Sequence, residues 1–170
     1  FRELGPFSCD ELTAKLSPCF NVQAAGQGAE SAPLVWEQIL LSDDQTTIGL
    51  YAAKDQQWVT AELIGPGRAR MAEVAPDHGE DWRELGVSIL HRLIVETLLN
   101  PPPPAKPTYV HQVEEVVDGL GTGRFPLAAL VMPATVNDIR TVSMAGERMP
   151  AKSTYFYPKL ASGLIFNPLT

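Results

Sequence analysis

Thr46-Thr47-Ile48-Gly49-Leu50-Tyr51-Ala52-Ala53-Lys54-Asp55-Gln56-Gln57-Trp58-Val59-Thr60-Ala61-Glu62-Leu63-Ile64 is the stretch that decides the fold class. Ile48, Leu50 and Ala52 alternate with Thr47, Gly49 and Tyr51, and Val59, Ala61 and Leu63 resume the alternation beyond a polar connection at Lys54–Gln57. A two-residue period places alternate side chains on opposite faces of a strand, so the pattern predicts an antiparallel hairpin over Thr46–Ala53 and Trp58–Ile64. Gly65-Pro66-Gly67 closes it, and the chain from there to Gly79 reads as irregular.

Upstream, Ser8-Cys9-Asp10-Glu11 has the Ser-x-x-Glu form of a capping box, with Leu12 and Leu16 at helical spacing behind it. A helix from Cys9 to Leu16 follows, stopped before Pro18. Phe20–Ala24 alternates as a brief strand, and Pro33 opens a helix with Leu34, Val35, Ile39 and Leu40 on one side.

Downstream, Val87–Leu99 reads as a helix with Leu90, Leu93, Ile94, Thr97 and Leu98 on its inner stripe. His91 falls just beside that stripe, where a histidine at the rim of a packed face is the expected reading. Pro101–Pro104 stops the helix. Thr108–His111 reads as a strand, and Val113, Val116, Val117 and Leu120 as the inner face of a helix. Gly119, Gly121 and Gly123 follow that helix rather than precede one, which excludes a phosphate loop built on a helix N-terminus. Phe125–Met132 is continuously apolar, as a strand covered on both faces would be. Thr135 and Asp138 cap a further helix with Val136, Ile139, Val142 and Ser143 inward, and Gly163–Phe166 forms a short terminal strand. The sum is α+β: a mixed sheet containing an antiparallel hairpin, with helices packed mainly on one face. At 170 residues the chain is expected to form one compact domain over 1–170, with 100–107 the one place for a subdomain boundary.

Composition narrows the partners. Twenty acidic residues against thirteen basic ones leave a net charge of −7, which argues against nucleic acid. No apolar run is long enough to span a bilayer, so no membrane is expected. Cys9 and Cys19 match neither a zinc knuckle nor a Cys-x-x-Cys pair, and their scarcity points to free thiols in a reducing cytoplasm. The chain opens at Phe1 without a signal-peptide pattern, which implies processing, a missing leader or a larger parent protein.

The densest polar chemistry is Met149-Pro150-Ala151-Lys152-Ser153-Thr154-Tyr155-Phe156-Tyr157-Pro158-Lys159. Lys152 and Lys159 can neutralise an anion, Ser153 and Thr154 can donate to its oxygens, Arg148 can add a bidentate contact, and Tyr155 or Tyr157 can stack on a base or sugar. A phosphate- or carboxylate-bearing small molecule suits this set better than a metal, for which no cluster of His, Cys and carboxylates exists. No cofactor and no catalytic residue is identified. Ser153 lacks a Gly-x-Ser-x-Gly elbow and a His–Asp relay. The competing expectation is that the three rings plug one end of the sheet and the lysines are solvated.

Leu85-Gly86-Val87-Ser88-Ile89-Leu90-His91-Arg92-Leu93-Ile94, Ala145–Lys159 and the hairpin from Ile48-Gly49-Leu50-Tyr51 together resemble the uncharacterised prokaryotic domain-of-unknown-function family 1015. Members are more than twice this length, with an Asp-Gly-His-His-Arg motif in an N-terminal half similar to the ParB and sulfiredoxin superfamily, where some relatives use nucleotides. That motif is absent here, since His78, His91 and His111 are isolated. The resemblance implies a bacterial C-terminal half whose own N-terminal domain completes a small-molecule site. It brings no settled activity. A non-catalytic interaction or homodimerisation module is the alternative.

Overall fold

The computed structural model describes residue 1, residues 4–101 and residues 105–154. The expected terminal strand at Gly163–Phe166 lies outside them, as do Tyr155, Phe156, Tyr157 and Lys159.

A four-stranded sheet forms the centre, built from β1 (Phe20–Gln27), β2 (Thr47–Ala52), β3 (Gln57–Leu63) and β4 (Leu127–Leu130) in the order β1-β3-β2-β4. The predicted hairpin is β2–β3, with Leu50 opposite Val59 and Tyr51 opposite Trp58. β1 joins the far side of β3 with a bulge between Ala24 and Gly26, and β4 joins the far side of β2. All three pairings are antiparallel, so the sheet expected as mixed is antiparallel among the described residues.

One sheet face carries Ile48, Leu50, Ala52, Val59, Ala61 and Leu63. Against it pack α1 (Cys9–Leu16), α3 (Gly65–Val74), the short turns α4 (Glu80–Arg83) and α5 (Gly86–Ser88), and the π-helix Ile89–Leu99 that continues α5. The other face carries Tyr51, Trp58 and Leu130 and is covered by α2 (Ala32–Ser42) and α6 (Val113–Gly121). Most helices therefore share one face, but the second face is covered as well. Gly49 shows why β2 tolerates a glycine: a Cβ there would lie 2.8 Å from Ile39 Cδ1 and 3.0 Å from Val35 Cγ1, so α2 could not sit this close. Trp58 is fully buried, its ring centroid 5.1 Å from that of Tyr51, and its Nε1 donates to the Gly28 carbonyl at 3.0 Å. Burying such a ring is worth about 2–3 kcal/mol, and the bonded N–H avoids the cost of an unmet donor.

The capping box before α1 is present: Ser8 Oγ accepts from Glu11 N at 3.1 Å and Glu11 Oε2 accepts from Ser8 N at 2.8 Å. The reciprocal pair Thr135–Asp138 opens α7 (Val136–Met144) in the same way. Both cysteines are free thiols.

Several expectations are corrected. Gly65–Val74 is a helix, not an irregular segment, because Pro66 sits in its first turn, where proline costs no hydrogen bond. Thr108–His111 is not a strand: among the described residues no neighbouring strand offers a ladder, and the segment runs as an open strap beside the π-helix. In α7 only Val142 is fully buried, with Ile139 half-buried, whereas Val136 is 75% exposed and Ser143 is exposed; the helix packs against α4. In the π-helix each main-chain bond spans five residues, as in Asn100 N to Val95 O at 2.9 Å. Residues five apart then stack, so Ile89, Ile94 and Leu99 are buried while Thr97 and Leu98 are only half-buried.

Candidate functional site

Beside β4 lies a cavity of about 850 Å³, within the range of small-molecule sites. Its walls come from segments far apart in the chain. Leu90 and His91 belong to the π-helix, Thr108–His111 to the strap, Glu115 and Leu120 to α6, and Leu127–Ala129 to β4. Lys152, Ser153 and Thr154 close part of the rim. The lining is predominantly apolar, with a small number of polar groups set into it.

Local chemistry fixes several of these groups. Gln45 bridges the cavity's edges: its Nε2 donates to the Pro133 carbonyl at 2.9 Å, and its Oε1 accepts from Gly86 N at 3.3 Å. Gly86 must be small here, because a Cβ would come within 2.8 Å of the Gln45 main-chain oxygen. His91 is half-buried, its ring 6.3 Å from that of Phe1, edge to face. Its Nε2 lies 3.3 Å from the Tyr109 hydroxyl. Burial holds the His91 pKa below its ordinary value, with Glu96 pulling weakly the other way, so the imidazole is neutral at pH 7. Burial likewise raises the Tyr109 phenol above its ordinary value. The pair offers the cavity uncharged hydrogen-bonding groups.

Glu115 reaches back over the first turn of α6, where Oε2 accepts from His111 N at 2.9 Å and Gln112 N at 3.1 Å. Those two main-chain bonds hold its carboxyl below the usual glutamate range, so it remains an anion.

The sequence motif is divided by the fold. Lys152, at φ 63° in the left-handed region, is exposed beside half-buried Ser153 and exposed Thr154. Ser153 Oγ donates to the Pro150 carbonyl at 2.7 Å, which spends its proton locally and leaves lone pairs for a ligand's donor. Arg148 is exposed and does not line the cavity. Tyr155, Tyr157 and Lys159 lie outside the described residues. Of the residues that the sequence proposes for a ligand, Lys152, Ser153 and Thr154 line this cavity; Gln45, Tyr109 and Glu115 line it without any such proposal, and His91, expected at the rim of a packed face, lines it too. Its offset from the apolar stripe was the one local signal for His91; the others carry none, because only folding brings them together.

No helix among the described residues is long and apolar enough to cross a membrane. No family model, curated protein or solved structure matches the chain.

Proposed function

We propose that this chain supplies one wall of a small-molecule site for a phosphate- or carboxylate-bearing ligand, completed in the full protein by its own N-terminal domain. The observation that carries the reading is the placement of Lys152 and Thr154 on the rim of an 850 Å³ cavity that also holds His91 and Tyr109. A cation supplies charge, a hydroxyl supplies a directional donor, and the apolar walls beside them offer burial to the rest of the ligand. The second wall follows from the resemblance to family 1015. Under this reading the part of the chain at hand is an accessory half.

Thermal-shift screening of the full-length protein against nucleotides, phosphorylated metabolites and amino acids tests it, since a ligand that binds only the folded state stabilises by mass action. Lys152→Ala and Thr154→Ala should weaken the response while leaving the oligomer unchanged. Intact binding in both variants ends the proposal.

A second reading, a non-catalytic interaction or dimerisation module, draws on Leu34 and Leu41 of α2, which are 61% and 85% exposed. Polar replacement of both should then change assembly in sedimentation while ligand responses stay intact.

A further inference from the structure

A second concavity, of about 420 Å³, lies between the sheet and the C-terminal half of α2 and shares no lining residue with the cavity beside β4. Every side chain on its lining is an amide, a hydroxyl or a carboxylate. Strand register builds the floor. Asn21 of β1, Glu62 of β3 and Thr47 of β2 stand opposite one another in one row across three strands, and Gln23 stands opposite Thr60 in the neighbouring row of the same face. Side chains directly opposite across a strand pair are about 5 Å apart, which matches hydroxyls on alternate carbons of a sugar ring. Gln38 and Ser42, one helical turn apart on α2, form the wall. That wall comes down to the floor because Gly49, opposite Thr60, has no side chain to hold Ile39 away.

The polar groups divide in two. Ser42 Oγ donates to the Ile39 carbonyl at 2.7 Å, and Asp44 accepts from Thr46 N and from Thr46 Oγ1, both at 2.7 Å, so these two are acceptors held in place. The side chains of Asn21, Gln23, Gln38, Thr47, Thr60 and Glu62 make no hydrogen bond or ion pair to another described residue. Thr47 and Thr60 are half-buried at the floor, and the other four stand exposed around them. Between them they present both donors and acceptors, and a hydroxyl is the one uncharged group that answers to either. An apolar body would find no apolar side chain on this lining, and an anion no lysine or arginine. No group of three or more His, Cys, Asp or Glu that could hold a metal ion occurs among the described residues.

We infer that this concavity binds a neutral saccharide, one sugar ring lying across the two rows with its hydroxyls on Asn21, Glu62, Gln23 and Thr60 and its edge toward Gln38. The site is independent of the anion-site reading above. Each hydrogen bond is exchanged for one with water and no aromatic ring backs the sugar, so the expected dissociation constant is about 1–10 mM.

Titration of the ¹⁵N-labelled protein with glucose, galactose, mannose and myo-inositol, followed in proton–nitrogen correlation spectra, reads the side-chain amides of Asn21, Gln23 and Gln38 directly. At least one of the four should shift those signals saturably. Thr60→Val, which keeps a β-branched residue in mid-strand, and Gln23→Ala, at an exposed position, should each weaken that sugar about three- to tenfold while the dispersed spectrum of the folded chain is retained. No saturable shift from any of the four overturns the inference, as does a response that both variants leave unchanged. Shifts produced by calcium chloride and by none of the four would assign the concavity to a cation and overturn it equally.

Discussion

Glu147 and His78 meet 69 residues apart in sequence, with Glu147 Oε2 2.7 Å from His78 Nδ1. The other carboxylate oxygen accepts from Gly79 N at 2.7 Å, and the His78 ring stacks on Trp82 at 3.7 Å with a 7° tilt. The contact ties the start of the Arg148–Thr154 segment to the turn after α3, and so holds the residues that reach the cavity rim. The hydrogen bond with His78, then that from Gly79 N, lowers the Glu147 pKa from its ordinary 4.5. A carboxylate depressed in the folded state stabilises it fully above the ordinary value and loses that contribution as pH falls through the folded value. Glu147→Gln should lower the melting temperature near pH 7 and flatten its decline below pH 4.5. An unchanged profile would show that the contact carries no stability.

His91 should titrate in a separate window. Its folded pKa lies below the ordinary 6.5 because burial disfavours the imidazolium. Stability tied to the neutral ring is intact above 6.5 and drains as pH falls from there toward the folded value, because the unfolded chain takes up the proton first. Denaturant midpoints measured between pH 7 and 5 should decline for the wild type and less steeply for His91→Gln.

Gly67 leaves no room for a side chain. An added Cβ would collide with the Cys19 main-chain oxygen and lie 2.5 Å from Leu63 Cδ1. A carbonyl of the chain entering β1 cannot swing aside as a side chain can, so Gly67→Ala should cost about 1–3 kcal/mol in chemical denaturation. Gly65→Ala, two residues earlier and with nothing within 4 Å, should be close to neutral.

The hairpin core supplies a calibrated contrast. Leu50 is fully buried between Val59 and Ala129 across the sheet, and Leu50→Ala should cost about 2–5 kcal/mol by leaving a cavity. Leu41→Ala, at an 85% exposed position, should stay within about 0.5 kcal/mol.

Thr135→Ala removes the hydroxyl that accepts from Asp138 N at 3.1 Å. The expected loss is about 1 kcal/mol of stability, with increased amide exchange across the first turn of α7. Thr135→Ser should restore most of it.

The sequence by itself determined what neighbours along the chain can settle. Ser8–Glu11 and Thr135–Asp138 fix two helix starts because a cap and its partner are three residues apart. Ile48–Ala52 and Val59–Leu63 declare a hairpin because one period runs through both and a polar connection lies between. Gly65-Pro66-Gly67 was misread by the same local logic, since proline in a turn and proline in a first helical turn look alike until the following residues pack. The five-residue stacking in Ile89–Leu99 and the open strap at Thr108–His111 also lie beyond it, one because no local period announces a π-helix and the other because a strand-like segment stays open where no strand among the described residues pairs with it. Only the tertiary structure decided the strand order, the place of β4 at an edge among the described residues, and the gathering of Gln45, His91, Tyr109, Glu115 and Lys152 around one cavity. Those placements depend on which buried surfaces meet after the sheet closes, and contacts such as Gln45 with Pro133, 88 residues away, leave no trace in local spacing.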